Sequence, residues 1–181
     1  FTPLALAGAI VYLVHHIIVK ANLFLVSGLV RQAGGAFNLK HVGGLYKTHG
    51  LLAVGFIIPA FALAGFPPLS GFWAKLLIIM ASLESQQYTL AVLAAVVGLL
   101  TVFSMIKIWS EAFWKQSPDE DQKTPVKHPL SAWMLTPVLV LGLITILLGL
   151  FMEPVFRFAV FAAGQLMDPQ PYISAVLGGG R

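Results

Sequence analysis

An apolar run from Leu51 to Leu83 carries one charged side chain, Lys75, and its middle reads Gly65-Phe66-Pro67-Pro68-Leu69-Ser70-Gly71. A helix crosses the bilayer hydrocarbon in roughly 20 apolar residues. The run is therefore too long for one straight span and too short for two spans with a loop. Adjacent prolines remove two amide donors and clash with the preceding turn, so a helix must stop there. Ser70 is then expected to cap a second segment that begins near Gly71. The sequence predicts one discontinuous helix, Leu51–Gly65 and Gly71–Leu83, interrupted at membrane depth. Backbone groups freed at such a break must face protein or water, and broken helices are where transporters build ion sites.

Three further apolar blocks have the length of single spans: Leu4 to Val30, Thr89 to Trp114, and Leu130 to Met152. With 58% hydrophobic and only 10% charged residues, the chain lacks the charge to cover a soluble core. The expected fold class is all-α, a polytopic transmembrane helix bundle of about four spans (4–30, 51–83 broken near 66–70, 89–114, 130–152). Residues 1–152 would form the transmembrane segment and 153–181 a C-terminal tail, partly helical, whose stretch Glu153–Met167 either continues the fourth helix or lies in the interface. The chain has no cysteine, so disulfides and thiolate metal sites are excluded. It opens on Phe1 with no basic signal-peptide region and is expected to be part of a longer chain.

Basic residues predict orientation. The loops Arg31–Gly50 and Lys115–Pro129 share one side and hold Arg31, Lys40, Lys47, Lys115, Lys123 and Lys127, whereas the turn Glu84–Tyr88 has no base. The positive-inside rule puts the larger loops in the cytoplasm and the tail outside. The net charge of +4 bears on topology and gives no reason to expect a nucleic-acid partner. The run Asp119-Glu120-Asp121 reads as a solvated loop, and Gly178-Gly179-Gly180 as a loose end.

Lys75 is the most informative residue, since no other lysine, arginine or carboxylate occurs between Lys47 and Glu84. Burial favours the neutral form of an ammonium, and the positive end of the nearby half-helix acts in the same sense. A lysine so placed can lose and regain a proton, as a relay must. Snorkelling to the headgroups is the plain alternative, weakened by apolar neighbours on both sides. His16 and Lys20 are four residues apart and share a helix face. His15 points about 100° away. Lys20 lies about ten residues, roughly 15 Å of helix, from Arg31, which is deep for snorkelling. Lys75, Lys20, His16 and, less directly, His15 are the candidate proton relay. Lys107 and Glu111 form an i, i+4 pair in the weaker order and read as interfacial anchors beside Trp109 and Trp114. Phe72, Trp73 and Trp133 read as packing or interfacial aromatics.

Every acidic residue lies in a loop, a tail or a helix end, so the segment offers protonatable bases and no mid-membrane carboxylate. There is no nucleophile–base pair, phosphate loop or HExxH pattern. The expectation is no enzyme active site, no metal and no cofactor.

The stretch His16-Ile17-Ile18-Val19-Lys20-Ala21-Asn22-Leu23-Phe24-Leu25-Val26-Ser27-Gly28, then Val42-Gly43-Gly44-Leu45, then Ala64 through Lys75, resembles the proton-conducting antiporter-like subunits shared by multisubunit Na⁺/H⁺ antiporters of the Mrp (Mnh) type and respiratory complex I. The resemblance extends from about Ala9 to Met152, is nearest to the Mrp branch, and is specific in combination. It implies a fourteen-helix fold with two inverted repeats, each with a broken helix, of which this chain is similar to helices 11 to 14. By resemblance, Lys20 matches the helix-11 lysine, His16 its histidine partner, and Lys75 the terminal lysine of broken helix 12. The family's glutamate on helix 5 and lysine on helix 7 have no counterpart here, and its C-terminus lies outside the cytoplasm.

The leading expectation is a proton-translocating subunit of a cation (Na⁺)/H⁺ antiporter in the cell inner (plasma) membrane, with H⁺, Na⁺, the lipid bilayer and other subunits of a hetero-oligomeric complex as partners. The alternative is a proton-pumping membrane subunit of complex I. Lysine at position 75 disfavours its M-type subunit, which resembles this chain but usually has glutamate there, and leaves the L-type open. A purely structural subunit is the third reading, and the break beside Lys75 argues against it.

Overall fold

The computed structural model describes residues 2–116 and 130–178. The acidic run at 119–121, Lys123, Lys127, Gly179, Gly180 and Arg181 lie outside the described residues. Among the described residues every regular element is helical, as expected for an all-α bundle.

Helix α1 (Pro3–Gly34) starts at Thr2, whose Oγ1 accepts from Ala5 N at 3.1 Å, with Pro3 in the first turn. It ends at Gly35, in the left-handed conformation at φ 74°, whose N–H donates to Arg31 O. At about 1.5 Å per residue α1 is roughly 48 Å long, well beyond the hydrocarbon thickness. After a 3-10 turn (Leu39–His41) and the one-turn helix α2 (Leu45–Thr48) come α3 (Gly50–Ala64) and α4 (Ser70–Glu84). Helix α5 (Tyr88–Trp109) continues into a π-helical turn, Ser110–Trp114. Then follow α6 (Ala132–Leu150), α7 (Met152–Met167) and α8 (Gln170–Leu177). Three helices are long and apolar enough to cross a bilayer by length and composition: Pro3–Gly34, Tyr88–Trp114 and Ala132–Leu150.

Helices α3 and α4 have 15 residues each, short of the roughly 20 that a full crossing needs. Helix α1 shows how they combine, because it runs antiparallel along both. Val26 and Leu29 pack with Ala53 and Phe56, Val19 with Ala62 and Leu63, and Val11 with Ala74, while Gly8 lies against Leu77. The two half-helices thus follow one another along one partner, with the interruption opposite His15. Small residues bring the backbones close: Gly55 faces Val138, Gly142 faces Ile58 and Asn22, and Ala159 and Ala163 of α7 pack against Ala7 and Val11 of α1. Small residues are what helix interfaces use in lipid, where apolar burial gives little drive to associate.

The first basic loop meets Lys115, where the second begins, at one end of the bundle. Gly44 N donates to Lys115 O at 2.6 Å, and Lys115 Nζ donates to Leu39 O at 3.0 Å. Lys115 Nζ also pairs with Glu111 at 2.8 Å. Glu111 thus takes Lys115 and not Lys107, the partner that spacing suggests. Glutamate four residues before lysine is the better order on a helix, and Lys107 points outward, exposed.

Candidate functional site

The helix break is built by backbone chemistry before any side chain enters. Gly65, at φ 90°, donates to Ala62 O at 3.0 Å, and Phe66 N donates to Phe61 O at 3.0 Å. This is the Schellman pattern, closed by the expected apolar contact between Phe61 and Phe66, whose ring centroids are 5.4 Å apart. Only a residue that tolerates positive φ serves at position 65. The Pro67–Pro68 peptide bond is cis, and Leu69 N closes the turn onto Phe66 O at 3.0 Å. Helix α4 then begins at Ser70.

With the Phe61 and Ala62 carbonyls bonded in this cap, the Ala64 carbonyl is taken by Lys75, whose Nζ donates to it at 2.9 Å. The lysine side chain, half-buried, runs back past Gly65, where a Cβ would stand 2.9 Å from its Cδ. Its ammonium also lies beside α5, 3.6 Å from where a Cβ on Gly98 would be. The electrostatics are therefore richer than the sequence implies. The lysine belongs to the positive end of α4, but its charge rests on the negative, carbonyl end of α3.

His15 meets the break from α1. It is 2% exposed, and its Nδ1 shares a hydrogen bond of 2.8 Å with Ser70 Oγ, the direction set by the imidazole tautomer. Gly71 lets this happen: a Cβ there would overlap the Ala62 carbonyl oxygen and stand 2.8 Å from His15 Cε1. Ser70 therefore does not cap α4, contrary to the expectation from sequence. Leu69 occupies the cap position, its hydrocarbon side chain unable to bond, while the Ser70 hydroxyl is engaged by His15.

His16 and Lys20 stand on another face of α1. His16 stacks on Tyr12, with ring centroids 5.4 Å apart, and its Nδ1 is buried without a hydrogen-bond partner. Lys20 is exposed and borders a cleft of ≈ 360 Å³ lined by Phe24, Ser27, Phe56 and Met105 among others. The structure thus groups His15 with Ser70 and Gly71, and Lys75 with Gly65 and Ala64. Among the described residues no hydrogen bond joins Lys20 or His16 to Lys75. No group of three His, Asp or Glu side chains able to hold a metal is found among the described residues.

Two participants carry weaker sequence signals. Trp73 reads in sequence as a packing or anchoring residue, and in the fold its Nε1 donates to Gly149 O at 3.0 Å. Helix α6 ends at Leu150, so that carbonyl has lost its helical partner. Asn22, 0% exposed on the His15 face of α1, has no hydrogen-bond partner for either amide atom. Its spacing of seven residues from His15 is the signal that places it there.

Fold and site together define a class, a multi-pass helical membrane protein with an ionisable side chain held at the break between two helices. The family model described as NADH:quinone oxidoreductase/Mrp antiporter, TM, matches residues 2–101, and the chain belongs to that family. It is 45% identical over 177 residues to a Na⁺/H⁺ antiporter subunit of Alkalihalophilus pseudofirmus, covering 98% of this chain and 35% of that protein. Among solved structures, it is similar to a chain of the Mrp complex from Dietzia, with a TM-score of 0.85 and 35% identity, over 98% of this chain and 40% of the other. A chain of respiratory complex I from Thermus thermophilus shares the fold, with a TM-score of 0.65 and 23% identity, over 84% of this chain and 34% of that one. The chain spans about a third of the length of the relatives it matches.

Proposed function

We propose that the chain serves in a proton-translocating subunit of a multisubunit Na⁺/H⁺ antiporter, a secondary transporter rather than an enzyme. Protons pass by way of Lys75, Lys20 and His16, and Na⁺ is the coupled ion. Residues 1–152 form the proton-path segment and 153–181 a tail. The protein sits in the plasma membrane among other subunits, with the two basic loops on the cytoplasmic side and the tail outside.

The observation that carries this reading is the Lys75 ammonium on the Ala64 carbonyl, at the break of the α3–α4 span. An ionisable group inside a membrane is a functional residue by default, and here the backbone is bent to receive it. The likeness over almost the whole chain to a protein named as part of a Na⁺/H⁺ antiporter supports the choice of sodium. The test uses everted membrane vesicles that hold the intact complex, with a preformed pH gradient followed by a fluorescent weak base. Added Na⁺ is expected to collapse the gradient in the absence of NADH oxidation. A gradient that ignores Na⁺ and instead builds with NADH oxidation would replace this reading with the complex I one.

A further inference from the structure

Adjacent histidines on a helix look like one device. Here they are held in different ways. His16 stacks on Tyr12 with a buried ring nitrogen left unbonded, on the face that carries Lys20. His15 is enclosed between α1 and the start of α4, and its Nδ1 is committed to Ser70 Oγ at 2.8 Å. Ser70 is itself 1% exposed and is the first residue of α4. Five residues further along the same short helix stands Lys75. A shift or rotation of α4 about its N-terminal turn displaces the root of the lysine side chain relative to the Ala64 carbonyl.

The approach has been made as close as the backbone allows. Gly71 is backed against the Ala62 carbonyl and the edge of the His15 ring, with no room for a Cβ. Leu69 lends α4 no side-chain cap, so the hydroxyl–imidazole bond is a side-chain tether on that first turn.

We infer that His15 is a positioning residue, which sets the place of α4, and so of Lys75, through Ser70, and does not itself carry protons. The inference rests on the antiporter reading above. It removes His15 from the relay and leaves that path to Lys75, Lys20 and His16.

The test uses the intact complex in everted vesicles. His15→Asn puts an amide about where Nδ1 lies, keeping a partner for Ser70 in a side chain that does not titrate. It is expected to keep at least one-third of wild-type exchange and an unchanged pH profile. Ser70→Ala and His15→Leu remove the bond, and each is expected to lower exchange about tenfold. The double variant should be no worse than either single one, since both cut the same bond. The place of α4 is read separately with the pair Gly8→Cys and Leu77→Cys, where a Cβ at position 8 stands 3.3 Å from that of Leu77. That is near the ~3.5–4.5 Å of a disulfide, and the chain has no cysteine of its own. Disulfide yield, measured by mass spectrometry, should fall in Ser70→Ala and hold in His15→Asn. Should His15→Leu not assemble, Ser70→Ala carries the test. Wild-type exchange in Ser70→Ala, or an inactive His15→Asn with full disulfide yield, would overturn the inference. Loss of Na⁺-driven exchange in the wild-type complex would instead fault the antiporter reading.

Discussion

Asn22 is fully buried between α1 and α6, its amide 3.8 Å from where a Cβ on Gly142 would lie, and neither of its polar atoms is bonded. Leaving a buried polar group unpaired costs roughly 1–3 kcal/mol. Asn22→Leu, similar in size and apolar, is therefore expected to stabilise the assembled complex by about 1 kcal/mol. Detergent titration of wild type and variant measures this, and a loss of stability would show that the amide has a partner. At the scale of residues the sequence locates the charges well. Lys75, Lys20 and His16 stand out from composition and helical spacing alone. What each side chain touches is hidden. Ser70 reads as a local cap, yet its partner lies 55 positions away on α1. Glu111 has a candidate partner in Lys107, yet the favourable i, i+4 order lies with Lys115. Local spacing carries geometry on one helix and is silent about the helix that packs against it.

At the scale of elements, the break is legible because proline and glycine act locally. Gly65, Pro67 and Pro68 dictate where α3 stops, and the observed ends, Ala64 and Ser70, fall within one residue of those expected. A second interruption faces it. Between α6 and α7 the helix lapses at Phe151, and Gly149 there backs onto the Pro68 carbonyl and Leu69. No proline pair marks that place in the sequence. It is held by the Trp73 indole, which supplies the donor that the lapsed helix no longer gives to Gly149 O. Trp73→Phe keeps an aromatic ring, a smaller one, and removes the donor. It is expected to destabilise the complex by about 1 kcal/mol and to lower exchange with assembly intact, as read by detergent titration and vesicle transport. Wild-type stability would mean that Gly149 O finds another donor.

At the scale of the whole molecule, the described helices are unequally covered. Helix α1 touches α3, α4, α6 and α7, whereas α5 has Ala91 as its buried residue and presents Leu93, Val97, Leu100 and Phe103 outward. In a membrane that face meets lipid or other protein at little cost, since lipid tails are as apolar as leucine. The chain's own apolar packing lies elsewhere, in a large cluster of α1, α3, the π-helical turn and α6 around Val26, Phe56, Phe113 and Val138, and in smaller ones nearer the break. Among the described residues His15, Asn22, Ser70 and Thr145 are the buried polar ones, and Lys75 reaches the carbonyl end of α3. On the proposed function, the break holds one titratable lysine, Lys75. The direct measurement is Na⁺/H⁺ exchange in everted vesicles with Lys75→Ala in the intact complex, assembly being checked in parallel. Normal assembly and at least a tenfold loss of exchange are expected. Full exchange in an assembled Lys75→Ala complex would contradict the claim, and the break would then be scaffolding rather than part of a proton path.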